Sequence, residues 1–425
     1  MINRKIAPEI QGIIEPQFGP VLKIENEWDI PFYVVKGGAQ EVIKLEFIFD
    51  AGTRLHPNIV VSSLANSMLP EGTSRHNASE IAEWIDRHGA FLETDIEKDY
   101  ATASLFTLNK FFADTLQLFS EVVFDASFPE NEFDIMRKSR FQRFKVNMEK
   151  VSFLASRKFS ELMFGASSYG YIADESDYQS LTRQDSRDFY QQHYREGNVQ
   201  IYLCGNVTDA DIELVKKLLS NMNRSNSTTH PTFAYEKGKY NAENYYIEKP
   251  GSLQSAIRIG RPLFTRNHPD YYGMKILNVV LGGYFGSRLM KNIREDKGYT
   301  YGIGSGIGTY EHDGFFYIAT EVGADVTNQA LDEIYKEINM LCQERIANDE
   351  LNLVRQYMIG NMLKSFDGPF EQMERFRTIQ LMHSADDFYE RYFDTIHNIT
   401  SDQLLQLAQQ YFKKSDLTEL VVGVK

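Results

Sequence analysis

The chain repeats itself once, and that repetition limits what it can fold into more than any other property of the sequence. Thr53-Arg54-Leu55-His56-Pro57-Asn58 returns as Thr265-Arg266-Asn267-His268-Pro269-Asp270, an offset of 212 residues counted from His56 to His268. Each copy runs into a helical segment that ends at a glycine-containing break, Leu69-Pro70-Glu71-Gly72 in one and Leu281-Gly282-Gly283-Tyr284 in the other. A second pair follows in the same order. Leu181-Thr182-Arg183-Gln184-Asp185 opens a helix leading to a strand that ends at Gly205, and Ile399-Thr400-Ser401-Asp402-Gln403 opens one leading to Gly423. Counted from Thr182 to Thr400 or from Gly205 to Gly423, the offset is 218. Thr182 with Asp185, and Thr400 with Gln403, carry the start signature of a capping box or a close relative. Two ordered matches at nearly one offset argue for duplication of a folding unit.

With 425 residues the duplicated unit is roughly two hundred residues long, enough to bury a core of its own. Strand-like runs (Val42 to Asp50, Tyr100 to Thr107, Val199 to Gly205) stand before and between helical ones (Asn58 to Leu69, Phe111 to Phe124, Pro129 to about Phe164). Ser79 is expected to cap a helix ending at His88-Gly89. That order reads as α+β, each half laying helices on one face of its own sheet. Residues 1–220 form the first half and 241–425 the second. The Ser/Thr/Asn-rich segment between them, 221–240, reads as a linker. Met1 to Pro20 reads as an irregular arm or short edge strand.

A net charge of −14 argues against nucleic acid as a partner, because phosphate binding needs a basic footprint. Cys204 and Cys342 lie in apolar runs without metal-type spacing and are expected to be buried thiols. No signal-peptide pattern opens the chain and no run approaches ~20 apolar residues, so a cytoplasmic location is the default expectation.

Leu281 to Ile303 (LGGYFGSRLMKNIREDKGYTYGI) concentrates the chemistry. A short basic amphipathic turn ends at Gly298, a C-cap position suited to positive φ. Arg294 is then expected on the last helical turn and Tyr301 on the strand that follows. A guanidinium fork and a phenol hydroxyl could face one oxyanion together. The plain alternative makes Arg294 a surface arginine and Tyr301 a half-buried strand residue.

The repeat, the linker and this stretch together resemble the pitrilysin/insulinase-type zinc peptidases, in particular the branch similar to mitochondrial processing peptidase. The resemblance runs over nearly the whole chain. It rests on Ser287-Arg288-Leu289, on Ile293 through Tyr301, and on Leu181-Thr182 through Gly205. It implies two homologous α/β-sandwich halves, each with a mostly antiparallel sheet, closing like a clam. It also implies an inverted zinc motif, H-x-x-E-H, before a Gly-Thr turn of the first half, and an arginine and tyrosine seven residues apart in the second. Arg294 and Tyr301 have that spacing. Counted back from Gly72-Thr73, the zinc positions fall on Ser63, Asn66 and Ser67. Serine hydroxyls are poor zinc ligands, and Asn66 cannot take a proton from a metal-bound water. The further acidic ligand is expected near Ser139 to Phe144, which holds no carboxylate. The chain is therefore expected to bind no metal. His56 and His268 read as turn residues repeated by the duplication, and the remaining histidines are scattered without i,i+3 or i,i+4 pairing.

The resemblance implies a non-catalytic subunit of a two-chain zinc metallopeptidase, a pseudoenzyme inactive alone. A homologous H-x-x-E-H partner would hold the zinc, and this chain would contribute Arg294 and Tyr301 in trans to an extended peptide substrate. Isolated, it could pair as a homodimer. Two other readings stay open: a scaffold protein of a larger complex, and a stand-alone module that binds peptides without cutting them.

Overall fold

A computed structural model describes residues 19–222 and 235–424. Most of the amino-terminal arm, and residues 223–234 of the expected linker, lie outside the described residues. The strands are β1 (Leu22–Lys23), β2 (Phe32–Lys36), β3 (Val42–Phe49), β4 (Phe91–Ile96), β5 (Ala101–Leu108), β6 (Val199–Gly205), β7 (Asn244–Glu248), β8 (Gln254–Leu263), β9 (Ile303–Thr309), β10 (Gly314–Gly323) and β11 (Thr418–Gly423). They form two sheets, ordered β1-β2-β6-β3-β5-β4 and β7-β11-β8-β10-β9. Apart from the short β1, the orders superpose as β2/β7, β6/β11, β3/β8, β5/β10 and β4/β9. The parallel pairs match as well: β2 with β6 and β7 with β11 are parallel, and all other pairs are antiparallel.

The duplicated signatures fold alike. Helix Ile59–Ser67 begins 212 residues before helix Tyr271–Gly282. His56 Nδ1 accepts the Asn58 backbone N–H at 3.1 Å, and His268 Nδ1 accepts the Asp270 N–H at the same distance. Both histidines are turn residues. Thr182 and Thr400 each cap a helix through a complete capping box, with Asp185 and Gln403 as the return partners. Gly205 and Gly423 end equivalent strands at φ 115° and 141°, where a Cβ on Gly205 would stand 2.2 Å from the Val42 carbonyl oxygen. Elsewhere the local expectations shift. Asn77, not Ser79, caps helix Ala78–Arg87, because its side chain reaches the Glu80 N–H while Glu80 returns the bond. The long segment after Pro129 divides into helices Glu130–Met148 and Val151–Phe164.

The sequence reading gave each sheet helices on one face, and each half does bury a large core of that kind. Phe32, Val34, Phe47 and Leu203 sit in the first, and Ile257, Ile259, Phe316 and Val421 in the second. The opposite faces are covered too, by exchange. Helix Pro369–Leu381 of the second half lies on β2 and β6 of the first, burying Met373 and Leu381 against Val35, Ile48, Tyr202 and Cys204. Helix Val151–Phe164 of the first half lies on β8 and β11 of the second, with Ala155, Phe159 and Met163 against Ala256, Leu420 and Val422. Strands alternate side-chain directions, so each sheet had a second apolar face to cover. Cys204 is buried, and burial pushes its thiol up to about 12; Cys342 is half-buried rather than fully enclosed. Among the described residues no helix is long and apolar enough to cross a membrane.

Candidate functional site

Asn58 caps helix Ile59–Ser67 by accepting the Val60 N–H at 2.9 Å. Its residues 63 and 67 are one helical turn apart and share a face. Arg140, on helix Glu130–Met148, reaches both. Its Nη1 donates to Ser63 Oγ at 2.6 Å and its Nη2 donates to Ser67 Oγ. A guanidinium thus stands between the two positions at which the resembled family carries its zinc-binding histidines. Asn66 points elsewhere: it is buried, and its Oδ1 accepts the Tyr194 hydroxyl at 2.9 Å. Hydroxyls already accepting from a permanent cation offer no lone-pair cage to a second cation, so the residues present do not fit zinc. Among the described residues no group of three or more His, Cys, Asp or Glu could hold a metal ion.

Beside this cluster lies a cavity of about 400 Å³, lined by Ser67, Glu71, Thr94, Glu132, Arg140 and Arg143 among others, all from the first half. Burial, with repulsion from Glu132, raises the Glu71 carboxyl above its ordinary range. Burial also lowers the Arg140 guanidinium, against an opposing effect of Tyr178 and with a smaller lowering by the charge of Arg143. Thr94 sits on β4, an edge strand that among the described residues pairs with β5 alone. Glu93 and Asp95, pointing to the other face of the same strand, line a second cavity of about 420 Å³ between the halves. Glu46, Glu97, Tyr100, Arg266, Glu374 and Arg377 line it as well. A larger concavity of about 550 Å³, around Asp270, Asp394 and Gln406, is lined by none of Ser63, Asn66, Ser67, Arg294 and Tyr301.

Arg294 and Tyr301 flank the turn at Gly298, whose φ is +68°. The helical segment Met290–Asp296 is π-wound, and the Tyr299 N–H returns to the Ile293 carbonyl at 3.0 Å. The Arg294 guanidinium lies over the Phe285 ring, 4.7 Å from its centroid. Tyr301 does not lie on a strand: β9 begins at Ile303, because Thr300 takes the preceding turn, its hydroxyl donating to the Glu321 carbonyl at 2.7 Å. Tyr301 is 94 % exposed. Neither residue lines the cavity beside Ser67.

Sequence reasoning noted the missing carboxylate at Ser139 to Phe144 but gave Arg140 no part. Its signal was present in that window, where a basic residue occupies the place expected for an acidic ligand.

A family model described as the peptidase M16 inactive domain matches residues 180–358. Among curated proteins, the chain is 24% identical to "Uncharacterized zinc protease YmxG" of Bacillus subtilis, with 85% of this chain and 88% of that protein aligned. It is 19% identical to "Non-peptidase homolog YmxG" of Helicobacter pylori over 71% of this chain and 70% of that one. Among solved structures, a peptidase M16 inactive domain from Pseudomonas fluorescens matches with a TM-score of 0.85 at 22% identity, covering 95% of this chain and 98% of its own. The periplasmic protease PqqL of Escherichia coli matches with a TM-score of 0.77 at 13% identity, covering this whole chain and 49% of its own.

Proposed function

We propose a role for this chain on the premise that it belongs to the pitrilysin/insulinase-type (M16) peptidase family, as a peptidase-like member without the metal-binding motif. It is the non-catalytic subunit of a heteromeric zinc metallopeptidase that acts on peptides. A homologous partner carrying H-x-x-E-H supplies the metal and the general base. This chain supplies Arg294 and Tyr301, which donate hydrogen bonds to the carbonyl oxygen as it gains charge. The peptide lies extended, paired to a free sheet edge such as that of β4 or β9. A cytoplasmic location is part of the same proposal.

One observation carries the reading: the chain's own metal position is filled by the Arg140 guanidinium on Ser63 and Ser67, while Tyr301 is left 94 % exposed on the other half. A phenol held in solvent, seven residues along the chain from an arginine stacked on an aromatic ring, lines none of the three cavities described and is available to another molecule.

The test mixes the chain with an H-x-x-E-H partner and follows cleavage of an unstructured peptide. Removing one such donor costs about 10²–10³ in rate where it faces a developing oxyanion. Arg294→Ala and Tyr301→Phe are therefore expected to lower kcat/KM by at least tenfold each without changing assembly. Undiminished cleavage with both variants removes the trans role.

A further inference from the structure

Arg140 spends two of its five N–H donors on Ser63 and Ser67. Among the described residues no carboxylate is paired with it, and a second arginine, Arg143, is close enough to lower its guanidinium further. Arg143 is exposed and likewise has no ion-pair partner among the described residues. Both line the 400 Å³ cavity. Arg137, on the same helix, is by contrast paired with Asp134 at 3.2 Å. Two guanidinium groups converging on a cavity in a chain of net charge −14, with neither neutralised, call for an anion. Glu71 and Glu132 line the same cavity, but among the described residues neither forms an ion pair with Arg140 or Arg143.

The other walls narrow the class of anion. Thr94 places the edge strand β4 on one side, with no strand beyond it among the described residues. Ile135, 55 % exposed, and Met136 give an apolar surface on another. A free strand edge, an apolar wall and a pair of arginines are the three things an extended peptide ending in a carboxylate meets on binding.

We propose that this cavity binds the C-terminal carboxylate of an extended peptide, with Arg143 and the remaining donors of Arg140 on the carboxylate, an apolar last side chain against Ile135 and Met136, and the backbone along β4. Arg140, holding the first-half helices together through the two serines, presents a fixed cation to a ligand rather than to a reaction. The inference is independent of the trans role of Arg294 and Tyr301.

The test is fluorescence anisotropy on the full chain with a labelled octapeptide of alternating threonine and valine, as the free acid and as the C-terminal amide. The free acid is expected to bind at least tenfold tighter than the amide. Arg143→Gln, at an exposed position without an internal ion pair, is expected to remove that preference while the thermal midpoint stays unchanged. Arg143→Lys, which keeps a charge without the fork, is expected to retain part of it. Equal binding of acid and amide, no binding of the acid at millimolar concentration, or an unaltered preference in Arg143→Gln overturns the proposal. Arg294 and Tyr301 lie outside this cavity, so Arg294→Ala and Tyr301→Phe are expected to leave the acid-over-amide preference of the lone chain unchanged, and the two readings fail separately.

Discussion

Ser63, Ser67 and Arg140 act as a unit: two short hydroxyl acceptors and a long donor fork replace a metal and its ligands. The arginine is tethered to helix Glu130–Met148, so it cross-links the two helices as a coordinated ion would. Restoring the histidines alone should not restore the metal. A unit charge 4 Å from a guanidinium costs about 4 kcal/mol at an effective dielectric of ~20, and a divalent ion costs more. Ser63→His combined with Ser67→His is expected to take up no stoichiometric zinc by atomic absorption after dialysis. Adding Arg140→Glu, which removes the cation and supplies an acid, is expected to permit uptake. Zinc bound by the double variant with Arg140 intact would show that the guanidinium is no obstacle.

At the scale of elements, the repeated caps are the clearest case of a local rule surviving in both copies. Thr182→Ala and Thr400→Ala each remove a side-chain acceptor for an N3 N–H and are expected to cost about 1 kcal/mol apiece in urea denaturation. Their effects should add, since the two threonines cap helices of different halves. These caps, the His-Pro turns and the strands ending at Gly205 and Gly423 were legible because each depends on residues within a few positions. The vacancy of the zinc motif was legible for the same reason. Arg140 was not, because its meaning rests on Ser63, which is 77 residues away. Helix Pro369–Leu381 could not be assigned to the first sheet, because its sequence carries an apolar stripe but no address. Tyr301 missed the strand by two residues, since a side-chain bond from Thr300 outweighed strand propensity there.

At the scale of the molecule, polar contacts reinforce the exchanged helices. The Glu311 N–H donates to Asp99 Oδ2 at 3.0 Å, joining turns 212 residues apart, which is the offset of the first repeat pair. Asp99 Oδ1 also accepts Arg54 Nε and the Tyr169 hydroxyl, each at 2.6 Å. Arg377 of the exchanged helix donates to Glu46 Oε1 at 2.7 Å. Burial pushes the Glu46 carboxyl up, but the charges of Arg377 and Lys44, with hydrogen bonds from Arg377 and Ser104, hold it below its ordinary 4.5. A carboxyl lowered on folding stabilises the fold above its unfolded pKa, and that contribution disappears as pH falls through the folded value. Thermal midpoints should therefore drop below about pH 4.5. Glu46→Gln, which leaves the half-buried Arg377 with only Glu374, 3.9 Å away, as a counter-charge, is expected to cost about 1–3 kcal/mol at pH 7. Its midpoint difference from the parent chain should shrink toward pH 3; a constant difference would mean that the clasp does not titrate.

The exchange of helices also sets a clock on biosynthesis. The first sheet is complete once Gly205 has been made, but the helix that covers Val35, Ile48, Tyr202 and Cys204 ends only at Leu381. At ~5–20 residues per second, the ribosome needs about 9–35 s to cross that interval. Throughout that interval the helix that will cover this apolar face of the first sheet has yet to be made, so the face must wait uncovered while the second half emerges.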